Sequence, residues 1–255
     1  MSEAPLALVT GGCRRLGAAL AARLARAGWA LALNAHGAVE PEPELAEVLR
    51  ETGVTWRAFP ADLGDPQAVD ALLPAVTAAF GRVPTLLVNN ASRFEFDTPE
   101  SATGEALLGH YAVNAAAPAL LCRALAASGA RGALVVNILD QRIAEPNGDQ
   151  FSYTLSKLAL ASLTPILARH FAPRLRVNAI APGLTMPTAD YDEGQLARLA
   201  DAMPLDRLPE AADIADALAY LVGARAVTGQ TIYVDGGAHL CRYERDFVFL
   251  GKDGN

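Results

Sequence analysis

Leu6-Ala7-Leu8-Val9-Thr10-Gly11-Gly12-Cys13-Arg14-Arg15-Leu16-Gly17 decides the fold. A short apolar run, Leu6–Thr10, ends in a glycine pair. Helix formers then run from Arg14 to Ala27 and stop at Gly28. The order predicts strand, tight turn, helix. Glycine permits the turn and lets backbone N–H groups approach a pyrophosphate at the start of the helix. A glycine-rich turn alone is a weak signal, but its place between a strand and a helix points to a dinucleotide.

The same alternation spreads outward over nearly the whole chain. Strands are predicted at Trp29–Asn34, Val54–Phe59, Thr85–Asn89, Ala133–Ile138, Arg176–Ile180 and Thr231–Val234. Between them lie helical patterns at Glu42–Thr52, Pro66–Phe80, Glu105–Ala127, Phe151–Phe171 and Pro209–Val222. Asp65 and Pro66 mark a helix start, and Gly53 a helix end. Strands separated by helices imply one α/β domain over 1–255, with a doubly wound, parallel, seven-stranded sheet covered by helices on both faces. Right-handed crossovers bring the carboxyl ends of the strands to one edge, where ligands bind. The stretch 183–209 is proline-rich and irregular, and reads as a substrate loop. The tail 238–255 carries Phe247-Val248-Phe249-Leu250, which calls for a covering surface such as another subunit.

Composition narrows the function. Of 255 residues, 52 % are hydrophobic and 19 % charged, which excludes a disordered chain. A net charge of −7 argues against sequence-independent nucleic-acid binding. Cys13, Cys122 and Cys241 are too scattered for a disulfide framework or a metal motif, so no metal is expected. No apolar run is long enough to span a membrane, and the start, Met-Ser-Glu-Ala-Pro, does not resemble a signal peptide. A cytoplasmic protein is the expectation.

The second strand ends in Asn34-Ala35-His36-Gly37, with no acid to take a ribose 2′-hydroxyl. A 2′-phosphate would instead be met by Arg14 and His36, which favours NADPH. Tyr153 and Lys157 stand four apart on a predicted helix and share a face. A phenol, with a pKa of about 10, is a sluggish acid–base at neutrality, and a nearby ammonium lowers that value. Such a pair can protonate a carbonyl or imine as hydride arrives. Asp140 ends the fifth strand, thirteen positions before Tyr153.

Together these motifs resemble the short-chain dehydrogenase/reductase family from Leu6 to about Gly237. The first turn is similar to Thr-Gly-x-x-x-Gly-x-Gly, with Arg15 in place of the middle glycine. Asn89-Asn90-Ala91-Ser92 is similar to Asn-Asn-Ala-Gly, with Ser92 replacing glycine. The resemblance implies that Gly11, Arg14, Arg15, Leu16, Gly17, His36, Asp62, Leu63, Asn89, Ala91 and Ser92 contact the cofactor. Tyr153, Lys157, Pro182, Gly183 and Thr185 join them, with Thr185 on the nicotinamide amide. It also implies a catalytic set of Asp140, Tyr153, Lys157 and Asn114. Most members carry serine where Asp140 stands; the pteridine reductases carry Asp, together with an Arg-Leu-Gly turn and a Phe at the position of Phe94. That subgroup implies Arg15, Ser92, Phe94, Asp140 and Tyr153 around a pterin such as dihydromonapterin, dihydrobiopterin or dihydrofolate. Pro118 deprives the Asn114 carbonyl of its helical partner and bends the helix, leaving an oxygen to hold a water that reaches Lys157.

Two other functions stay in play. A carbonyl reductase acting on 3-oxoacyl thioesters would use serine where Asp140 stands. A non-catalytic NADP(H)-sensing protein would not need Tyr153, Lys157 and Asn114. The family also implies a homotetramer built on Glu105–Ala127 and Phe151–Phe171, where Ala115, Ala116, Ala117, Ala159 and Ala161 allow close approach.

Overall fold

The computed structural model describes residues 3–37 and 39–252. The reading of Met1 and Ser2, and of the tail beyond residue 252, lies outside the described residues. Seven strands form a single sheet: β1 Leu6–Val9, β2 Ala30–Ala35, β3 Trp56–Pro60, β4 Leu86–Asn89, β5 Ala133–Ile138, β6 Leu175–Pro182 and β7 Thr231–Val234. The order is β3-β2-β1-β4-β5-β6-β7 and every pairing is parallel. The order reverses between β1 and β4, where Val9 pairs with Val88. A crevice opens at such a switch point, beyond the carboxyl ends of the strands.

Every residue of β1, β2, β4 and β5 is buried, as a parallel sheet covered on both faces requires. On one face α1 Arg15–Arg26 and α2 Pro43–Thr52 pack over Val9, Leu31, Leu33 and Val88. On the other, α3 Pro66–Phe80 packs over Leu6, Leu8, Leu87 and Val135. The Asp65 side chain accepts from the Gln67 N–H at 2.9 Å, and Pro66 opens the helix. Gly53 and Gly81 close α2 and α3 in the left-handed region, at φ +62° and +67°.

The long helix expected over Glu105–Ala127 is interrupted. It runs as α4 Gly104–Tyr111, a π-turn Ala112–Ala116 and α5 Ala117–Ala127. The cause is Pro118, which has no N–H for the Asn114 carbonyl; the ladder widens there and the Ala117 N–H bonds Ala112 O. Helix α6 Phe151–Phe171 stays continuous through Pro165.

Two expectations are corrected. The loop 183–209 holds a helix, α7 Glu193–Asp201, capped by Asp192. The tail finds its cover within the chain: Phe247 and Leu250 pack on Leu199 and Met203. The Gln195 side-chain amide donates to the carbonyls of Phe247, Val248 and Leu250. Helix α8 Ala211–Gly223 then leads to β7. Among the described residues no helix is long and apolar enough to cross a membrane.

Candidate active site

A cavity of about 680 Å³ lies along the carboxyl edge of the sheet. One end is the turn after β1. Gly11 has φ +60°, and a Cβ there would sit 3.1 Å from the Ala91 backbone. A Cβ on Gly17 would fall 2.0 Å from Gly11 O. The turn is therefore closed to side chains and presents bare backbone at the N-terminus of α1, whose first turn holds no acidic residue. Arg15 adopts φ +52°, in the left-handed region that favours glycine. Its N–H donates to Glu42 Oε2 at 2.8 Å and its Nη2 to Met186 O at 2.7 Å, which ties the turn to the substrate loop.

The expected residues divide cleanly. Gly11, Arg14, Arg15, Leu16 and Gly17 line the cavity. So do Ala91, Ser92, Phe94, Asp140, Tyr153, Lys157, Pro182, Gly183 and Thr185. Asn89, Leu63, His36 and Asp62 stand off its wall. Asn89 is buried, and its Nδ2 donates to Asn137 Oδ1 at 2.8 Å, bracing β4 to β5; Asn90 lines the cavity in its place. Leu63 packs in the core beneath α3. His36 is exposed, with Nδ1 3.3 Å from Asp62 Oδ1. Asn114 is buried behind the wall. Its Oδ1 accepts from the N–H of Arg93 (2.8 Å), and its Nδ2 donates to Arg93 O and Ser156 Oγ, each at 2.9 Å.

At the centre the Tyr153 hydroxyl donates to Asp140 Oδ2 at 2.9 Å. Asp140 Oδ1 accepts from the Arg142 N–H at 3.0 Å and from its Nε at 3.3 Å. Lys157 Nζ donates to Ile138 O at 2.8 Å and lies 5.6 Å from the centroid of the Tyr153 ring. Phe94 meets that ring edge-on, with centroids 4.7 Å apart.

The electrostatics differ from the sequence expectation. Burial raises the Tyr153 pKa well above 10, and the Asp140 carboxylate adds to it. Burial and the Asp140 anion together outweigh the Arg142 cation, so Tyr153 stays protonated. Burial also pushes Lys157 down, from its ordinary 10.5 to about 8. Arg142 is opposed by burial but held above its ordinary value by Asp140 and Asp246.

Sequence reading missed Arg142 and the groups around it. Arg142 donates to the Asp246 carboxylate and to Gln150 Oε1. Asp246, Phe247 and Val248 of the tail also line the cavity. No local motif marks Asp246, because it meets Arg142 across 104 positions. Arg142, two residues after Asp140, carried the one available signal: a cation beside an acid at a strand end.

A dinucleotide crevice at the switch point, with tyrosine and lysine one helical turn apart, defines a nicotinamide-dependent oxidoreductase. The family model described as "Enoyl-(Acyl carrier protein) reductase" matches residues 12–239, and the chain belongs to the short-chain dehydrogenase/reductase family. It is 30 % identical to the 3-oxoacyl-[acyl-carrier-protein] reductase FabG of Staphylococcus aureus, over 92 % of this chain and 98 % of that one. The solved structure of FolM alternative dihydrofolate reductase 1 from Brucella canis, complexed with NADP, is 36 % identical, with a TM-score of 0.83. It covers 94 % of this chain and 96 % of its own. The promiscuous reductase LugOII, which catalyses keto-reduction in lugdunomycin biosynthesis, is 32 % identical with a TM-score of 0.85, over 93 % and 98 % of the two chains.

Proposed function

We propose that this oxidoreductase uses NADPH to reduce a dihydropterin-like ring, and that Asp140 and Tyr153 deliver the proton. The observation that carries this reading is the Tyr153–Asp140 hydrogen bond, with an acid where most of the family carries serine. The 36 % identity to an alternative dihydrofolate reductase supports it.

The closed backbone turn fits a pyrophosphate, and Arg14 beside it fits the added charge of a 2′-phosphate. When bound, the reduced nicotinamide supplies the hydride. The chain's own residues handle the proton. Arg142 occupies Asp140 Oδ1 with two N–H donors, leaving Oδ2 to share a proton with the Tyr153 hydroxyl. The Tyr153 phenol gives its proton to a ring nitrogen, and its Oη is reprotonated from solvent by relay through Asp140 Oδ2. Lys157, with its pKa near 8, exchanges a proton close to neutrality. Phe94 offers a flat apolar face, 53 % exposed, to an aromatic substrate.

The similarity to ketoreductases favours a second reading, reduction of a ketone or 3-oxoacyl thioester. One assay separates the two: NADPH oxidation with a panel of dihydropterins beside a panel of ketones. Turnover of ketones with none of any dihydropterin refutes the pterin proposal. Tight NADPH binding with no turnover of either panel leaves a sensor. Tyr153→Phe removes turnover while sparing NADPH binding.

A further inference from the structure

The Phe94 side chain is half exposed and touches the site through the edge of the Tyr153 ring, so its backbone must set its position. That backbone is gripped on both sides from one helical element. Before Phe94, the Arg93 N–H donates to Asn114 Oδ1 at 2.8 Å and Arg93 O accepts from Asn114 Nδ2 at 2.9 Å. After it, the Glu95 N–H points at His110 Nε2, 3.2 Å away. His110 Nδ1 lies 2.8 Å from Ala106 O. That carbonyl can only accept, so the proton is on Nδ1 and Nε2 is free to accept from Glu95. His110 is 1 % exposed and lies four residues before Asn114, on the same face. The Arg93 side chain crosses α4 at Gly109, where a Cβ would meet Arg93 Nη1 at 2.4 Å and the guanidinium would have to shift.

We infer that His110 is a positioning residue for substrate: with Asn114 it clamps the chain on either side of Phe94 and fixes the ring against which a planar substrate packs. The inference rests on the pterin reading for the identity of that substrate, and on the geometry alone for the clamp.

Two measurements on the full chain test it. The first is amide hydrogen exchange. The Glu95 amide is protected in the wild type and in His110→Gln, whose carbonyl can replace the ring acceptor. In His110→Ala it exchanges about tenfold faster or more, the loss expected when one buried hydrogen bond goes. An unprotected Glu95 amide in the wild type, or exchange unchanged in His110→Ala, overturns the clamp. The second is steady-state kinetics. His110→Ala raises the dihydropterin KM about tenfold, the scale of one aromatic contact. Its kcat and NADPH affinity stay within about twofold, and His110→Gln restores the KM. A KM that does not move in His110→Ala overturns the positioning role, even if the variant melts early. If the wild type reduces ketones and no dihydropterin, the functional reading fails, and exchange at Glu95 still decides the clamp.

Discussion

Lys157→Met should make the apo-protein more stable at pH 7 and less stable relative to the wild type at pH 10. Lys157 is 2 % exposed, with a single hydrogen bond from Nζ to Ile138 O at 2.8 Å. Burial lowers its pKa from 10.5 to about 8. A drop of about two and a half units corresponds to about 3 kcal/mol of unfavourable burial of the ammonium. Because the folded pKa lies below the unfolded one, the unfolded chain binds more protons between about pH 8 and 10.5. The cost is fully present below pH 8 and disappears as the pH rises through that window. Methionine has a similar reach and no charge, so the cost vanishes at every pH, while Ile138 O loses a donor at about 1–2 kcal/mol. The variant gains about 1–2 kcal/mol at pH 7. At pH 10 its advantage is smaller by about 2–3 kcal/mol, which reverses the sign. Urea unfolding of both proteins at the two pH values, without cofactor and at one protein concentration, reads the difference. Groups common to both proteins cancel. Equal differences at pH 7 and pH 10 would refute the reasoning.

Asp140→Asn keeps an acceptor for Tyr153 but cannot carry the proton; dihydropterin kcat should fall about a hundredfold or more with NADPH affinity unchanged. Asp140→Ser should instead move turnover toward ketones, read as the ratio of the two kcat/KM values. Asn114→Ala leaves the Arg93 backbone unpaired and should cost about 2–4 kcal/mol in thermal or urea unfolding. The helices α4 and α6 pack together and expose Leu108, Tyr111, Leu155 and Ile166. Light scattering should give four copies in solution, with Leu155→Glu shifting the mass downward; a monomeric wild type would contradict a tetramer.

The fold was legible because its signals are local. The glycine pair after Val9, the Asp65-Pro66 start and the caps at Gly53 and Gly81 each act over a few residues. The proline at 118 even marked where a helix would break, although the break took the form of a π-turn. The site was legible where spacing carries the chemistry, as with Tyr153 and Lys157. It was illegible where the partners are distant in sequence. Arg142 joins Asp140 to Asp246, and Glu95 finds His110 across a turn, through contacts that no periodicity encodes. The phenol's acidity also escaped prediction, because its direction depends on how deeply Tyr153 is buried beside Asp140. At Asn89 and Leu63 the spacing gave no hint that the side chains turn inward to brace strands or fill the core.

Asp246, Phe247 and Val248 form one wall of the chamber, and the Gln195 amide holds the segment through the carbonyls of Phe247, Val248 and Leu250. The same arrangement offers an engineer a graft: exchanging 247–250 between relatives would recontour the substrate end while leaving the phenol, the amine and the phosphate turn in place.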